Sequence, residues 1–282
     1  MTQAEAEVLD AWSRVTPAMR AQVGAVLCVT TLALLPLVWL AVKRLVPARN
    51  VVFVRWGFSH VALALAVFLA ASLGAQFFAT PGASLVGDLL LVAGLFSAVA
   101  ACVVIWATRL DPEGVGVLGW RAQGAPRAVA AGVLAYAAVL PGIAGLMFLW
   151  TWFLAALGHE PAPQDVAQRF AALAEGQRLL PVVLGVAIVP LLEELLFRAF
   201  LQPLLVQNFR EAAGVGLTSF AFAALHGPDV FLPIFALSCL LGALMLRTQS
   251  LFAVWAVHAL NNGLMFALLS VRPDLAGVGG GP

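Results

Sequence analysis

Residues 179–206 of the chain read LLPVVLGVAIVPLLEELLFRAFLQPLLV. This stretch is long enough to cross a bilayer as a helix, because a span needs about 20 mostly apolar residues at a rise of 1.5 Å each. It nevertheless contains Glu193, Glu194 and Arg198. Each charged side chain near the centre of a bilayer costs about 2.5 to 3.5 kcal/mol on insertion scales. Three of them so close together indicate a functional site inside the membrane.

The composition of the whole chain is that of a membrane protein. Of its 282 residues, 62% are hydrophobic and only 10% are charged, and the mean hydropathy is +1.00. These values predict an integral, multi-pass protein, which we expect in the plasma membrane with the lipid bilayer as its main partner. The net charge is +1 and the chain has no long basic run, so we predict no nucleic-acid partner.

Polar breaks divide the chain into apolar stretches, each a candidate membrane span. The eight stretches lie near residues 22–42, 51–78, 85–107, 128–157, 179–207, 213–227, 230–246 and 251–270. Only helices and closed barrels satisfy all backbone polar groups in lipid, and most of these stretches are too long for barrel strands. We therefore predict an all-α polytopic bundle of about eight transmembrane helices around a polar intramembrane cavity.

The two adjacent glutamates are expected to have different roles. Glu194 and Arg198 are spaced i to i+4 on a helix with the acid first, which favours an ion pair. Glu193 points about 100° away from that pair. Pro190 removes a backbone donor one turn earlier and can open room for water beside the carboxylate. We expect Glu194 to be the structural partner of Arg198 and Glu193 to be free for chemistry.

Later stretches add two imidazoles to this region. Phe222 and His226 close the sixth stretch, while His258 and Asn262 share one face of the eighth. Counting the helix rise puts these groups and Glu193 at depths that allow them to meet in one cavity. There a carboxylate and an imidazole can take a proton from water, and His258 and Asn262 can donate to a developing oxyanion. A base and oxyanion donors in one cavity are the groups that hydrolysis of an amide requires.

Three motifs in this order, Glu-Glu-x-x-x-Arg, Phe-x-x-x-His and His-x-x-x-Asn, resemble the CPBP family of intramembrane proteases. That family includes the type II CAAX prenyl proteases and the ABI-type membrane proteins, and the similarity covers about residues 117–270. It implies an endopeptidase that hydrolyses a peptide bond with a glutamate-activated water and needs no cofactor. The implied catalytic residues are Glu193, His226, His258 and Asn262. The residues implied to support the site are Glu194, Arg198 and Phe222.

The resemblance also suggests how the chain is organised. Residues 1–110 show no motif and predict an N-terminal surface helix, ending near Pro17, followed by three transmembrane helices. Residues 111–275 form the predicted protease core. The glycine-rich tail, 276–282, is expected to be disordered. The expected substrate is a membrane-associated peptide or protein, either with a CAAX-like or lipidated end or without one.

Two alternatives stay open at the level of sequence. Glu193, His226 and His258 could supply three ligands to a catalytic zinc with an open fourth position, as in a CAAX-type metalloendopeptidase. The chain lacks His-Glu-x-x-His, the usual zinc-protease signature, so we assign no metal ligands. The second alternative is a transporter or scaffold without proteolytic activity, in which the buried charges form a proton relay.

Overall fold

A computed structural model describes residues 15–46, 52–78, 84–159, 161–162 and 164–273, and this part of the chain is helical without a strand. The helices, in chain order, are α1 Pro17–Leu45, α2 Phe58–Phe78, α3 Leu85–Leu110, α4 Ala125–Ala156, α5 Asp165–Ala171, α6 Leu179–Phe209, α7 Glu211–Ala224, α8 Phe231–Thr248 and α9 Leu251–Val271. Three short 3-10 turns lie at Gly114–Leu118, Glu175–Gln177 and Pro228–Val230. The prediction of an all-α membrane bundle is confirmed.

Six of the described helices, α1, α3, α4, α6, α8 and α9, are long and apolar enough to cross a membrane. The apolar segment Phe58–Leu73 of α2 and the helix α7 are shorter. Each of the eight predicted stretches contains a helix, but the number of helices that cross the bilayer stays a prediction.

Large apolar side chains on the outside of the bundle fit a lipid surrounding. Val26, Val29, Leu32 and Leu37 of α1 are each more than 60% exposed. A broad apolar surface of this kind marks contact with a membrane rather than with water. The protein is therefore an integral, multi-pass membrane protein.

The N-terminal surface helix was expected to end near Pro17, and most of it falls on residues 1–14, outside the described part. The described residues place the start of α1 at this position. Thr16 caps α1 by accepting a hydrogen bond from the backbone N–H of Met19 at 3.2 Å. Proline is favoured at the first position of a helix, where its missing N–H costs nothing, and Pro17 takes that position in α1. The surface helix before it stays a prediction. The predicted tail at 276–282 also lies outside the described residues.

Helices α1 and α4 approach closely through glycines. A Cβ atom added to Gly145 would lie 2.5 Å from the carbonyl oxygen of Gly24, and one added to Gly142 would lie 2.8 Å from the Cγ2 atom of Thr31. Lipid is as apolar as leucine, so helices in a membrane associate through close packing rather than through the hydrophobic effect. Small residues at this contact let α1 pack directly against α4, which also contacts α8 and the motif-bearing helix α9.

Helix α6, which carries the glutamate pair, is not a regular α-helix. The α-helical segment Val189–Glu194 lies between two π-helical segments, Val183–Ile188 and Leu195–Leu201. π-Helical turns inside α-helices are frequent at functional sites. The disturbance expected from Pro190 is therefore present as a change of hydrogen-bond register.

Two side chains of α9 bind carbonyl groups of this irregular stretch. The Nδ2 atom of Asn262 donates to the carbonyl of Gly185 at 2.9 Å, and the Nε1 atom of Trp255 donates to that of Ala187 at 2.8 Å. In a π-helical register the donor to Gly185 would be residue 190, a proline without an N–H. The side chain of Asn262 takes that place and joins α9 to α6 about two turns before the glutamates.

Candidate active site

Glu194 is completely buried and has two partners. Its Oε2 atom lies 3.3 Å from the Nε atom of Arg198, and its Oε1 atom lies 2.7 Å from the Nδ1 atom of His258. The ion pair with Arg198 is the one that the i to i+4 spacing predicts. The contact with His258 joins α6 to α9 and cannot be read from spacing, because the two residues are 64 positions apart.

The charge of Arg198 is compensated in several ways. This side chain is also buried, and its Nη2 atom donates to the hydroxyl of Ser238 at 2.8 Å. Its guanidinium carbon lies 4.4 Å from the centre of the Phe222 ring, a cation–π distance. A buried ion needs such partners because its desolvation costs several kcal/mol. Phe222 thus packs directly against the arginine.

Glu193 has a different environment from its neighbour. Its Oε2 atom lies 3.7 Å from the Nε2 atom of His258, and its side chain is 14% exposed whereas that of Glu194 is 0% exposed. The distance exceeds that of a direct hydrogen bond. The His258 ring therefore lies between the two carboxylates, with Glu194 at one nitrogen and the more accessible Glu193 near the other.

His226 lies in the turn just after α7. Its Nδ1 atom is 2.8 Å from the carbonyl oxygen of Phe222, and its ring centre is 4.6 Å from the Phe222 ring. The Phe222 ring is in turn 5.8 Å from that of His258. A carbonyl only accepts, so Nδ1 of His226 carries the hydrogen, and Nε2 of the neutral ring can accept a proton. Glu193 interacts electrostatically with both imidazoles.

The turn that contains His226 is held by the end of α4. The indole Nε1 atom of Trp150 donates to the carbonyl of Pro228 at 2.7 Å. Beyond the end of α4, the Nε2 atom of His159 lies 2.5 Å from the Oδ1 atom of Asp229. Sequence reasoning missed both contacts, since no local pattern relates residues 70 or more positions apart.

Asn262 lies one turn after His258 on α9, as the i to i+4 spacing predicts. Besides donating to Gly185, it accepts a hydrogen bond at its Oδ1 atom from the Nδ2 atom of Asn261 at 3.2 Å. Asn261 in turn accepts a hydrogen bond from the hydroxyl of Tyr136 at 3.0 Å. One feature of the sequence indicates this network. Tyr136 is the only tyrosine of the chain and lies in an apolar span, where its hydroxyl needs a hydrogen-bond partner.

The zinc alternative can be compared with the arrangement of possible ligands. Among the described residues, no group of three or more His, Cys, Asp and Glu side chains is arranged to hold a metal ion. The Nδ1 atom of His258 is already in contact with Glu194, and its Nε2 atom faces Glu193. A zinc ligand would have to direct a lone pair at the metal from about 2 Å. Among the described residues no third ligand is arranged to complete such a site, and the zinc alternative stays a hypothesis.

Comparison with known proteins identifies the same region of the chain. The family model described as type II CAAX prenyl endopeptidase Rce1-like matches residues 175–264. Comparisons with curated proteins and with solved structures found no significant match. The match contains the two glutamates, Arg198, both imidazoles and Asn262, whereas Tyr136, Trp150 and His159 lie before it. The boundaries of the wider core predicted at 111–275 stay a prediction. Over this region the chain is similar to the family of Rce1-like type II CAAX prenyl endopeptidases, which are membrane proteases.

Proposed function

We propose that the protein hydrolyses a peptide bond within the membrane by means of a water molecule activated by Glu193 and His226. The observation that carries the proposal is the position of His258 between Glu194, which is buried and paired with Arg198, and Glu193, which is more accessible. One carboxylate is committed to structure, and the adjacent one is left to act as a base.

In this mechanism Glu193 takes a proton from water as the water oxygen attacks the carbonyl carbon of the substrate. His226 assists with its Nε2 atom, because its Nδ1–H is held by the carbonyl of Phe222. The carbonyl oxygen becomes negatively charged in the tetrahedral intermediate. When the C–N bond breaks, the proton passes to the leaving amine, so the products are a carboxylic acid and an amine.

Asn262 is the proposed donor to the negative oxygen. Its Nδ2 atom carries two hydrogens, one of which is bonded to Gly185, so the other remains for the substrate. His258 donates from Nδ1 to Glu194, and it can donate from Nε2 as well when the ring is protonated. Donors that are held in place before the reaction stabilise the transition state without the cost of reorganisation.

The proposed substrate is a membrane-associated peptide or protein with a CAAX-like, lipidated end. The family match and the apolar exterior of the bundle support this choice, since a lipidated peptide and this protein share the bilayer. We place the protein in the plasma membrane, and we propose that no metal or other cofactor takes part in the reaction.

The proposal is tested with purified protein in lipid vesicles. A prenylated CAAX peptide and its non-prenylated form are each added, and mass spectrometry identifies the bond that is cut. Glu193→Gln should lower cleavage by about 10²-fold or more, the usual contribution of a general base. Glu175→Gln is the matched control, because it makes the same chemical change at an exposed position.

Near-normal turnover of Glu193→Gln would reject Glu193 as the base. Equal cleavage of both peptides would show that the site does not select the lipid. If neither peptide is cut and the vesicles instead take up a solute in response to a proton gradient, the protein acts as a transporter and the proposal fails.

A further inference from the structure

A chain of hydrogen bonds runs from α4 through α9 to α6 and includes Asn262. The hydroxyl of Tyr136 donates to Oδ1 of Asn261 at 3.0 Å, Nδ2 of Asn261 donates to Oδ1 of Asn262 at 3.2 Å, and Nδ2 of Asn262 donates to Gly185 at 2.9 Å. We call these four groups the amide chain. Tyr136 and Asn261 have no part in the reaction proposed above.

The direction of the hydrogen bonds in the amide chain is determined by its Gly185 end. The carbonyl of Gly185 can only accept, so Asn262 must turn its Nδ2 atom toward it. The Oδ1 atom of Asn262 then faces Asn261, which must present its own Nδ2 atom. That leaves Oδ1 of Asn261 to accept from Tyr136, whose hydroxyl can donate. The opposite orientation of either amide would place two acceptors or two donors against each other.

The packing of α4 against α9 holds the hydroxyl of Tyr136 in place. A Cβ atom added to Gly132 of α4 would lie 2.9 Å from the Cγ2 atom of Val257 on α9, so the two helices touch at this level. Tyr136 and Asn261 each lie four residues further along, one turn beyond this contact on the same faces. Tyr136 is only 2% exposed. Bulk water therefore cannot replace its hydroxyl if that hydroxyl is removed.

We infer that Tyr136 is a positioning residue that acts through Asn261 on Asn262. The amide chain holds the Asn262 side chain with one N–H on Gly185 and directs the second N–H toward the carbonyl oxygen of the substrate. This inference rests on the oxyanion role proposed for Asn262. Charge develops on that oxygen only in the transition state, so loss of the orientation should lower kcat and leave KM unchanged.

The test is a double-mutant cycle with Tyr136→Phe and Asn262→Ala. Tyr136→Phe removes only the hydroxyl and should lower kcat by about five- to tenfold, the value of one ordinary hydrogen bond expressed as a rate. In the Asn262→Ala background the same change should cause no further loss. Thr218→Val is the control, because it removes another buried hydroxyl, bonded within α7, that lies outside the amide chain.

The possible outcomes separate the two proposals. An equal loss of kcat on Tyr136→Phe in both backgrounds would overturn the positioning role and leave the proposed function intact. If Asn262→Ala itself has normal kcat, the oxyanion assignment falls, and the role of Tyr136 falls with it. Asn261→Ala interrupts the amide chain at its middle and should reproduce the loss of kcat seen with Tyr136→Phe.

A measurement without substrate completes the test. The chain has four asparagines, so protein labelled with ¹⁵N in asparagine alone gives few side-chain amide signals. The signals of Asn261 and Asn262 are assigned by their absence in the respective alanine variants. Tyr136→Phe should shift the side-chain amide signals of both Asn261 and Asn262, whereas Thr218→Val should shift neither set. Unchanged Asn262 signals in Tyr136→Phe would overturn the inference whatever the activity.

Discussion

The Nδ1 atom of His258 lies 2.7 Å from the Oε1 atom of Glu194, a side chain with no exposed surface. This contact gives Glu194 a second partner besides Arg198 and fixes the orientation of the imidazole. Glu194 is therefore expected to serve both the stability of the bundle and the geometry of the reaction, whereas Glu193 serves the reaction alone.

The first prediction concerns this difference. Glu194→Gln leaves the buried charge of Arg198 without its counter-ion, and loss of one partner of a buried pair costs about 3 to 5 kcal/mol. We expect a lower midpoint of thermal unfolding in detergent together with reduced cleavage. Glu193→Gln should lose cleavage with an unchanged midpoint. Equal midpoints for both variants would show that the Glu194–Arg198 pair does not stabilise the fold.

The double substitution Glu194→Leu with Arg198→Met separates the two roles further. Replacing both members of a buried ion pair by apolar groups of similar volume is often neutral for stability. The midpoint should therefore return toward that of the unchanged protein. Cleavage should remain low, because His258 has lost the acceptor for its Nδ1–H. Recovery of cleavage along with stability would show that the contact between Glu194 and His258 is not needed.

The second prediction concerns the glycine contact of α1 with α4. Gly145→Ala would place a Cβ atom 2.5 Å from the carbonyl oxygen of Gly24, so the helices must move apart. Overpacking of this kind costs about 1 to 3 kcal/mol. Gly94→Ala is the control, because nothing lies within 4 Å of its added Cβ and alanine is the better helix former. Thermal unfolding should distinguish the two variants, and a stable Gly145→Ala would argue against the close contact.

The third prediction concerns the turn that contains His226. Trp150→Phe removes the N–H that is bonded to Pro228 and should lower kcat several-fold, because His226 loses part of its support. Trp152→Phe makes the same change on a neighbouring residue of α4 that is 46% exposed, and it should leave kcat unaltered. Turnover of a peptide by the two variants provides the comparison. Equal rates would show that the bond from Trp150 does not position the turn.

The fourth prediction concerns metal. Because the side chains of Glu193, His226 and His258 are not arranged as a zinc site, we expect chelators to leave peptide cleavage intact and purified protein to contain no stoichiometric metal. Elemental analysis measures the metal content, and turnover of the peptide after chelation measures the cleavage. Stoichiometric zinc, with activity lost on chelation and restored by zinc, would favour the metallopeptidase alternative.

The parts of the site that follow from local helix geometry could be predicted from the sequence. The Glu194–Arg198 pair and the common face of His258 and Asn262 both depend on a spacing of four residues along one helix. The sequence predicts that Pro190 disturbs the helix. It does not predict that the disturbance is a change to π-helical hydrogen bonding. Whether a proline kinks a helix or changes its register depends on what can bind the carbonyls it leaves open, and here Asn262 of another helix does so.

The sequence by itself determined the class of the protein, because a chain with so much apolar surface and so few charges can satisfy its backbone in lipid only as a helical bundle. Its motifs also determined which helices carry polar groups. Only the tertiary structure decided that His258 binds Glu194, that Trp150 holds the turn of His226, and that Tyr136 lies at one end of the amide chain. Such contacts depend on the rotation and depth of one helix relative to another. Close packing of small residues sets both, and no periodicity within a single helix records them.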